Sequence, residues 1–221
     1  MNVIVPIALP CDVGYKLSRM KLYITAGSPY ARMVRTVILE KHLSARVEVI
    51  LAPTRQTNSP YYPINPSGRV PYLICDDGVA LEESALICAY LDHLDGQPMF
   101  DWPAGNAGWT ARRLEALARS WMDGLAVWSR ELGRPVNERS PTILAHEAQR
   151  SLRMADVWEA EIDHAVMHAP LNLAQITLAC ALGLDARNAN FVWRPAHPRL
   201  SAWFERIAAH PSLTATAPPV Q

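Results

Sequence analysis

The 221-residue chain has no net charge: Lys plus Arg is 21 and Asp plus Glu is 21. A neutral chain lacks the bulk electrostatic footprint of a nucleic-acid or anionic-membrane binder, although a local basic patch is compatible with it. Cysteine is scarce, with four residues at 11, 75, 88 and 180. None forms a C-x-x-C pair and none has zinc-ligand spacing, so neither a thioredoxin-type redox couple nor a structural zinc is expected. Cys75 and Cys88 sit in apolar runs and read as small buried hydrophobes, which fits a reducing cytoplasm better than a disulfide framework. No apolar run reaches 18 residues, so no transmembrane helix is expected. Residues 1–10 are apolar but have no basic segment before them and no A-x-A site after them, which excludes the pattern of a signal peptide. The seven histidines are scattered without a carboxylate at ligand spacing, so no metal is expected. There is no internal repeat.

Apolar residues make up 50% of the chain and charged residues 19%, enough to bury a sizeable core. The length allows one large domain or two small ones at roughly 100–200 residues each. Eighteen prolines, above the usual level of about 5%, fall in loops and tails. Residues 1–20 read as an extension, because "MKLYITAGSPY" from Met20 looks like the start of a domain. Lys21–Thr25 is a β-rich run. Ala26-Gly27-Ser28-Pro29 turns into a helix, with Ser at the N-cap and Pro in the first turn, carrying Val34, Val37 and Ile38 on one face. Arg46–Leu51 reads as a second strand, Ala52–Gly68 as a long Pro-rich loop and Val70–Cys75 as a third strand. Asp76-Asp77-Gly78 is a hairpin signal leading into Val79–Leu81. Residues 83–94 then have helical periodicity.

Residues 98–106 are a linker, and the period beyond it is helical throughout. Leu114, Leu117, Trp121, Leu125, Trp128 and Leu132 form one stripe at spacings of three and four. Further helices are expected at 142–166, at 171–184, which is apolar almost all round and so buried, and over Leu200–Ala208. Pro211–Gln221 reads as a tail. The fold class is therefore an α/β domain at 21–97 followed by an all-helical domain at 107–215, with residues 216–221 left over.

Three motifs stand on this frame: Ser28-Pro29-Tyr30-Ala31-Arg32-Met33-Val34-Arg35, Asn65-Pro66-Ser67-Gly68-Arg69-Val70-Pro71-Tyr72-Leu73, and Glu83-Ser84-Ala85-Leu86-Ile87-Cys88-Ala89-Tyr90-Leu91. In this order and spacing the chain resembles the cytosolic glutathione transferases, and looks most like a bacterial subgroup opening its first helix with Ser-Pro-(Phe/Tyr). The resemblance spans roughly residues 20–215. It implies a thioredoxin-like N-terminal domain, a helical-bundle C-terminal domain, glutathione as cosubstrate with no tightly bound cofactor, a homodimer and a cytoplasmic setting.

By this resemblance Ser28 is the catalytic hydroxyl that hydrogen-bonds the glutathione sulfur. The physics is compatible: a free thiol has a pKa of about 8.5, and a donor at a positive helix end favours its thiolate. Thr25 and Tyr23 are rival hydroxyls. Val70-Pro71 is implied to be a cis bond presenting the Val70 backbone to the cysteinyl unit. Ser84 is implied to hold the γ-glutamyl carboxylate and Glu83 its ammonium, and Arg69 or Arg55 the glycyl carboxylate. Tyr30, Trp109, Arg112 and Met122 are candidates for the second-substrate pocket. The usual Ser/Thr-x-x-Asp cap of the buried helix is replaced by Asn172-Leu173-Ala174-Gln175, which still caps well. The expected activity is attack of the glutathione thiolate on a small hydrophobic electrophile or a peroxide. The alternative is a non-catalytic protein of the same fold that serves as a binding or regulatory subunit.

Overall fold

Met20, Leu22 and Ile24 alternate with Lys21 and Tyr23, so one face of the first strand is wholly apolar. In the computed structural model, which describes residues 19–218, this strand is β1 (Met20–Ile24) and that face is buried. Met20, counted with the extension above, is thus the first core residue among those described. Residues 1–18 of the extension, Cys11 included, lie outside the described residues.

Helix α1 (Pro29–Glu40) carries the chain back to β2 (Val47–Leu51), which pairs parallel to β1. A parallel pair needs such a crossover, whereas β3 (Tyr72–Ile74) and β4 (Ala80–Glu82) are joined by the Asp76-Asp77-Gly78 turn and pair antiparallel. The sheet order is β2-β1-β3-β4. Helix α2 (Ser84–His93) follows and packs beside α1. This is the expected thioredoxin-like arrangement.

The second sheet face is covered by the Pro-rich loop. Tyr61, 1% exposed, packs on Tyr23 with ring centroids 5.5 Å apart. The segment between the domains is also packed, because both Asp92 oxygens accept backbone N–H groups from Met99 (2.8 Å) and Phe100 (2.9 Å), and Phe100 is buried.

The helical region opens with α3 (Gly105–Leu132), which starts two residues before the expected domain start at 107 and runs about 42 Å at 1.5 Å per residue. Its stripe of Leu114, Trp121, Leu125 and Trp128 is buried as the periodicity requires. Helix α4 (Pro141–Glu161) ends short of the expected 166, because the His164 Nδ1 accepts from the Val166 N–H (3.2 Å) and starts a separate 3-10 turn. Helix α5 (Leu173–Leu182) is buried along its length and lies against α1 and α3. It gives way at Gly183, where the Arg32 guanidinium fills the place of a side chain, to a 3-10 turn over Gly183–Arg187. Helix α6 (Pro198–Ala208) is followed by α7 (Pro211–Ala215). The start of the expected tail is therefore part of the core: Leu213 is fully buried, and its carbonyl accepts from Arg32.

The substituted cap of α5 works as the sequence suggests. Asn172 Oδ1 accepts from the Gln175 N–H and Gln175 Oε1 from the Asn172 N–H, both at 3.2 Å, while Asn172 Nδ2 donates to the Val166 carbonyl at 2.9 Å. Asn172→Ala should lower stability by about 1–2 kcal/mol and Asn172→Ser by less, since serine restores the cap but not the Nδ2 donor. Urea denaturation of the three proteins measures the difference.

Candidate active site

The sheet register gathers the three motifs. Tyr72 of β3 lies between Tyr23 of β1 and Glu82 of β4. Both neighbours run antiparallel to β3, so β1 and β4 leave the sheet at the edge where β3 enters it. Thr25–Ser28, Val70-Pro71 and Glu83-Ser84 all lie just beyond that edge.

Ser28 is the N-cap of α1, its Oγ accepting from the Ala31 N–H at 3.2 Å, with Pro29 in the first helical position. A hydroxyl has two lone pairs and one proton, so capping leaves the O–H free to donate. It does so at the positive end of the α1 dipole. Of its rivals, Tyr23 is in the core against Tyr61, and the Thr25 carbonyl accepts from the Ser28 N–H at 3.1 Å.

Val70-Pro71 is cis. The residue before it is held by its carbonyl, which accepts from Tyr61 Oη (2.6 Å) and Asn65 Nδ2 (3.0 Å). Asn65 Oδ1 also accepts from the Ser67 N–H (3.1 Å), closing the turn of the second motif. Gly68 has φ +66°, and a Cβ there would lie 2.8 Å from the Tyr62 ring, so only glycine fits.

Glu83 has φ +74°, a backbone region costly for a non-glycine residue, and its side chain is exposed. It pairs with Arg69 at 3.6 Å. Arg69 is therefore at the Glu83 corner. Ser84 is 2% exposed, and its Oγ accepts from Arg119 Nη1 of α3 at 2.9 Å. Arg119 is in turn held by Glu115, which accepts from Thr177 Oγ1 of α5 at 3.2 Å. Arg119 went unnoticed in the sequence because it reads as one more charge on a long helix.

The second-substrate candidates separate. Tyr30 stays at the site, donating to Asp123 of α3. Burial, then the Asp123 carboxylate, push its pKa well above the ordinary range, while Arg130 and Arg119 pull against them. Trp109 and Arg112 stack on each other at 5.3 Å and lie 14 and 11 residues before Asp123 on the same helix, some 21 and 16 Å along its axis. They are not brought to Ser28. Met122 is fully buried and belongs to the core. Arg55, at φ +58°, is exposed on the loop, and partial burial and the like charge of Arg130 lower its pKa. Among the described residues, Asp92, His93 and Asp101 bring potential ligand atoms within 4.8 Å of one another. The Asp92 carboxylate there is already committed to backbone N–H groups and to Lys41 at 3.5 Å.

A four-stranded β-α-β-β-β sheet flanked by α1 and α2, with a ligand edge facing a helical domain, defines a thioredoxin-like two-domain protein. A family profile described as "Glutathione S-transferase, N-terminal domain" matches residues 22–99. A glutathione transferase family member from Pseudomonas fluorescens with bound glutathione is 33% identical, with TM-score 0.81, covering 91% of this chain and 100% of that one. A second structure from the same organism, with bound S-(propanoic acid)-glutathione, gives 33% identity and TM-score 0.77 over 90% of this chain and 100% of that one. The GST-like protein YibF of Escherichia coli is 29% identical over 202 residues, 90% of this chain and 99% of its own. The chain belongs to the glutathione S-transferase family.

The positive φ of Glu83 is testable without a ligand. Glu83→Gly should leave the melting temperature unchanged or higher, because relief of about 1–3 kcal/mol of backbone strain offsets the added chain entropy. Glu83→Val, β-branched, should lower it.

Proposed function

We propose that this protein binds glutathione along the Val70/Glu83 edge and activates its thiolate at Ser28 for attack on a small electrophile. The observation that carries the reading is the register that delivers Ser28, Val70 and Glu83-Ser84 to one edge of the sheet. The Val70 backbone pairs with the cysteinyl unit in strand fashion. Glu83 takes the γ-glutamyl ammonium. The γ-glutamyl carboxylate lies at the Ser84 helix start, with Arg119 behind the hydroxyl and Arg69 beside it. That assignment moves Arg69 away from the glycyl carboxylate, which falls to Arg55.

Ser28 donates its free proton to the sulfur, and the helix dipole lowers the cost of the thiolate. The electrophile sits where the N-terminal domain meets α3 and α5. Rate then comes from thiolate stabilisation and proximity, with no protein nucleophile. Peroxide is a further electrophile open to the same thiolate. The protein works as a homodimer: α2 and α3 expose Leu86 and Trp109, apolar side chains suited to a two-fold contact.

Ser28→Ala should slow turnover about ten- to hundredfold, the worth of one hydrogen bond to a charged group (about 1.5–3 kcal/mol), and raise the pKa of bound glutathione. Glutathione affinity should hardly change in that variant, whereas Glu83→Gly should weaken it. Wild-type turnover and thiol pKa in Ser28→Ala would remove Ser28 from the mechanism, and failure to retain the protein on immobilised glutathione would favour a non-catalytic subunit. Light scattering at micromolar concentration should give twice the chain mass of 24.6 kDa.

A further inference from the structure

Arg187 ends the 3-10 turn after α5, and its guanidinium packs against Gly27 in the turn before Ser28. A Cβ at Gly27 would stand 2.5 Å from Arg187 Cζ and 3.0 Å from its Nη2, so glycine leaves the room this side chain fills. The Arg187 Nε is buried without a hydrogen-bond partner, and no carboxylate pairs with the group among the described residues. Arg32 lines the small cleft that Gly27 and Ser28 form with Cys180, Gly183 and Leu184. Arg32 is 7% exposed and, among the described residues, donates only to the carbonyls of Ala179 and Leu213 and has an unpartnered Nε. The remaining ionisable group of that cleft, Cys180, stays a neutral thiol, since burial pushes its pKa up to about 11 against the pull of Arg32. Two guanidinium groups thus lie beside the Ser28 turn with no anion to answer them among the described residues, and buried or half-buried charge ordinarily has a partner.

We propose that the partner is the substrate: Arg187 is a specificity-determining residue that binds a carboxylate carried by the electrophile, with Arg32 reinforcing the positive field. This rests on the glutathione reading above and names its second substrate class, a short carboxylate with a leaving group such as a halide. The thiolate sulfur attacks the carbon bearing the halide, the C–S bond forms, and the halide leaves with the pair of the broken bond. The proton lost from the thiol has already gone to solvent. Thiolate and carboxylate repel each other, and the guanidinium removes that penalty at the reacting distance.

The test is calorimetric binding of three probes to the whole protein: glutathione, S-carboxymethylglutathione and S-carbamoylmethylglutathione. The last two differ only in carboxylate against neutral amide. Wild type should bind the carboxymethyl probe at least about tenfold more tightly than the carbamoylmethyl one, the gain expected of a charge-assisted contact. Arg187→Met should erase that preference with glutathione affinity unchanged, and Arg187→Lys should keep part of it. No preference in wild type, or an undiminished one in Arg187→Met, overturns the proposal while glutathione binding stands. Failure of glutathione itself to bind overturns the functional reading and this proposal together. The wild-type comparison decides even if the Met variant does not fold.

Discussion

Helix α1 is buried from both sides, and the rest of the molecule is arranged around that constraint. Its Val34 and Val37 are fully buried, as is Met33, whose sulfur lies 3.8 Å from the Thr177 Oγ1 of α5. Its Arg32 reaches the carbonyls of Ala179 in α5 and Leu213 in α7, and Thr36 meets Thr216. A helix enclosed in this way must be covered by a second layer that is itself apolar all round, which is what α5 provides. The two domains therefore share one core, and the start of α1, with Ser28, falls at the seam.

That placement sets the electrostatics of the site. The chain is neutral overall, yet arginines gather along the seam: Arg69 and Arg119 near Glu83-Ser84, Arg130 near Tyr30 with Arg55 close to Arg130, and Arg32 and Arg187 about the Gly27-Ser28 turn. Two of them are paired at the seam, Arg69 with Glu83 and Arg119 with Glu115, while exposed pairs such as Arg113–Glu161 and Arg199–Asp163 lie elsewhere and contribute little to stability. A net charge of zero conceals this local gathering of positive charge.

The same seam separates rigid from adjustable parts. The Asn65–Gly68 turn and Tyr61 clamp the Arg69 carbonyl, so the Val70 edge is preformed. Around Ser28 the lining comes from the β1–α1 turn and from the end of α5 with the 3-10 segment after it. Such a surface can change with single side chains while the scaffold stays put.

What the sequence determined by itself was everything carried by short-range pattern. The period-two strand, the helical stripe from Leu114, the Asp76-Asp77-Gly78 turn, the Ser28 and Asn172 caps and the three motifs all lie within windows of a few to about twenty residues, where backbone geometry dictates side-chain position. Tertiary structure decided whatever required knowing which element faces which. Leu213 looked like part of a tail because five residues carry no period, yet it is core. Trp109 and Arg112 looked like pocket residues because the start of a helix does not reveal how far along its axis the neighbouring domain makes contact. Arg119, Asp123 and Arg187 went unread because a charged side chain on a polar face looks the same whether it meets water or a ligand site. Their roles come from long-range packing around α1, which brings residue 187 against residue 27 and residue 119 against residue 84.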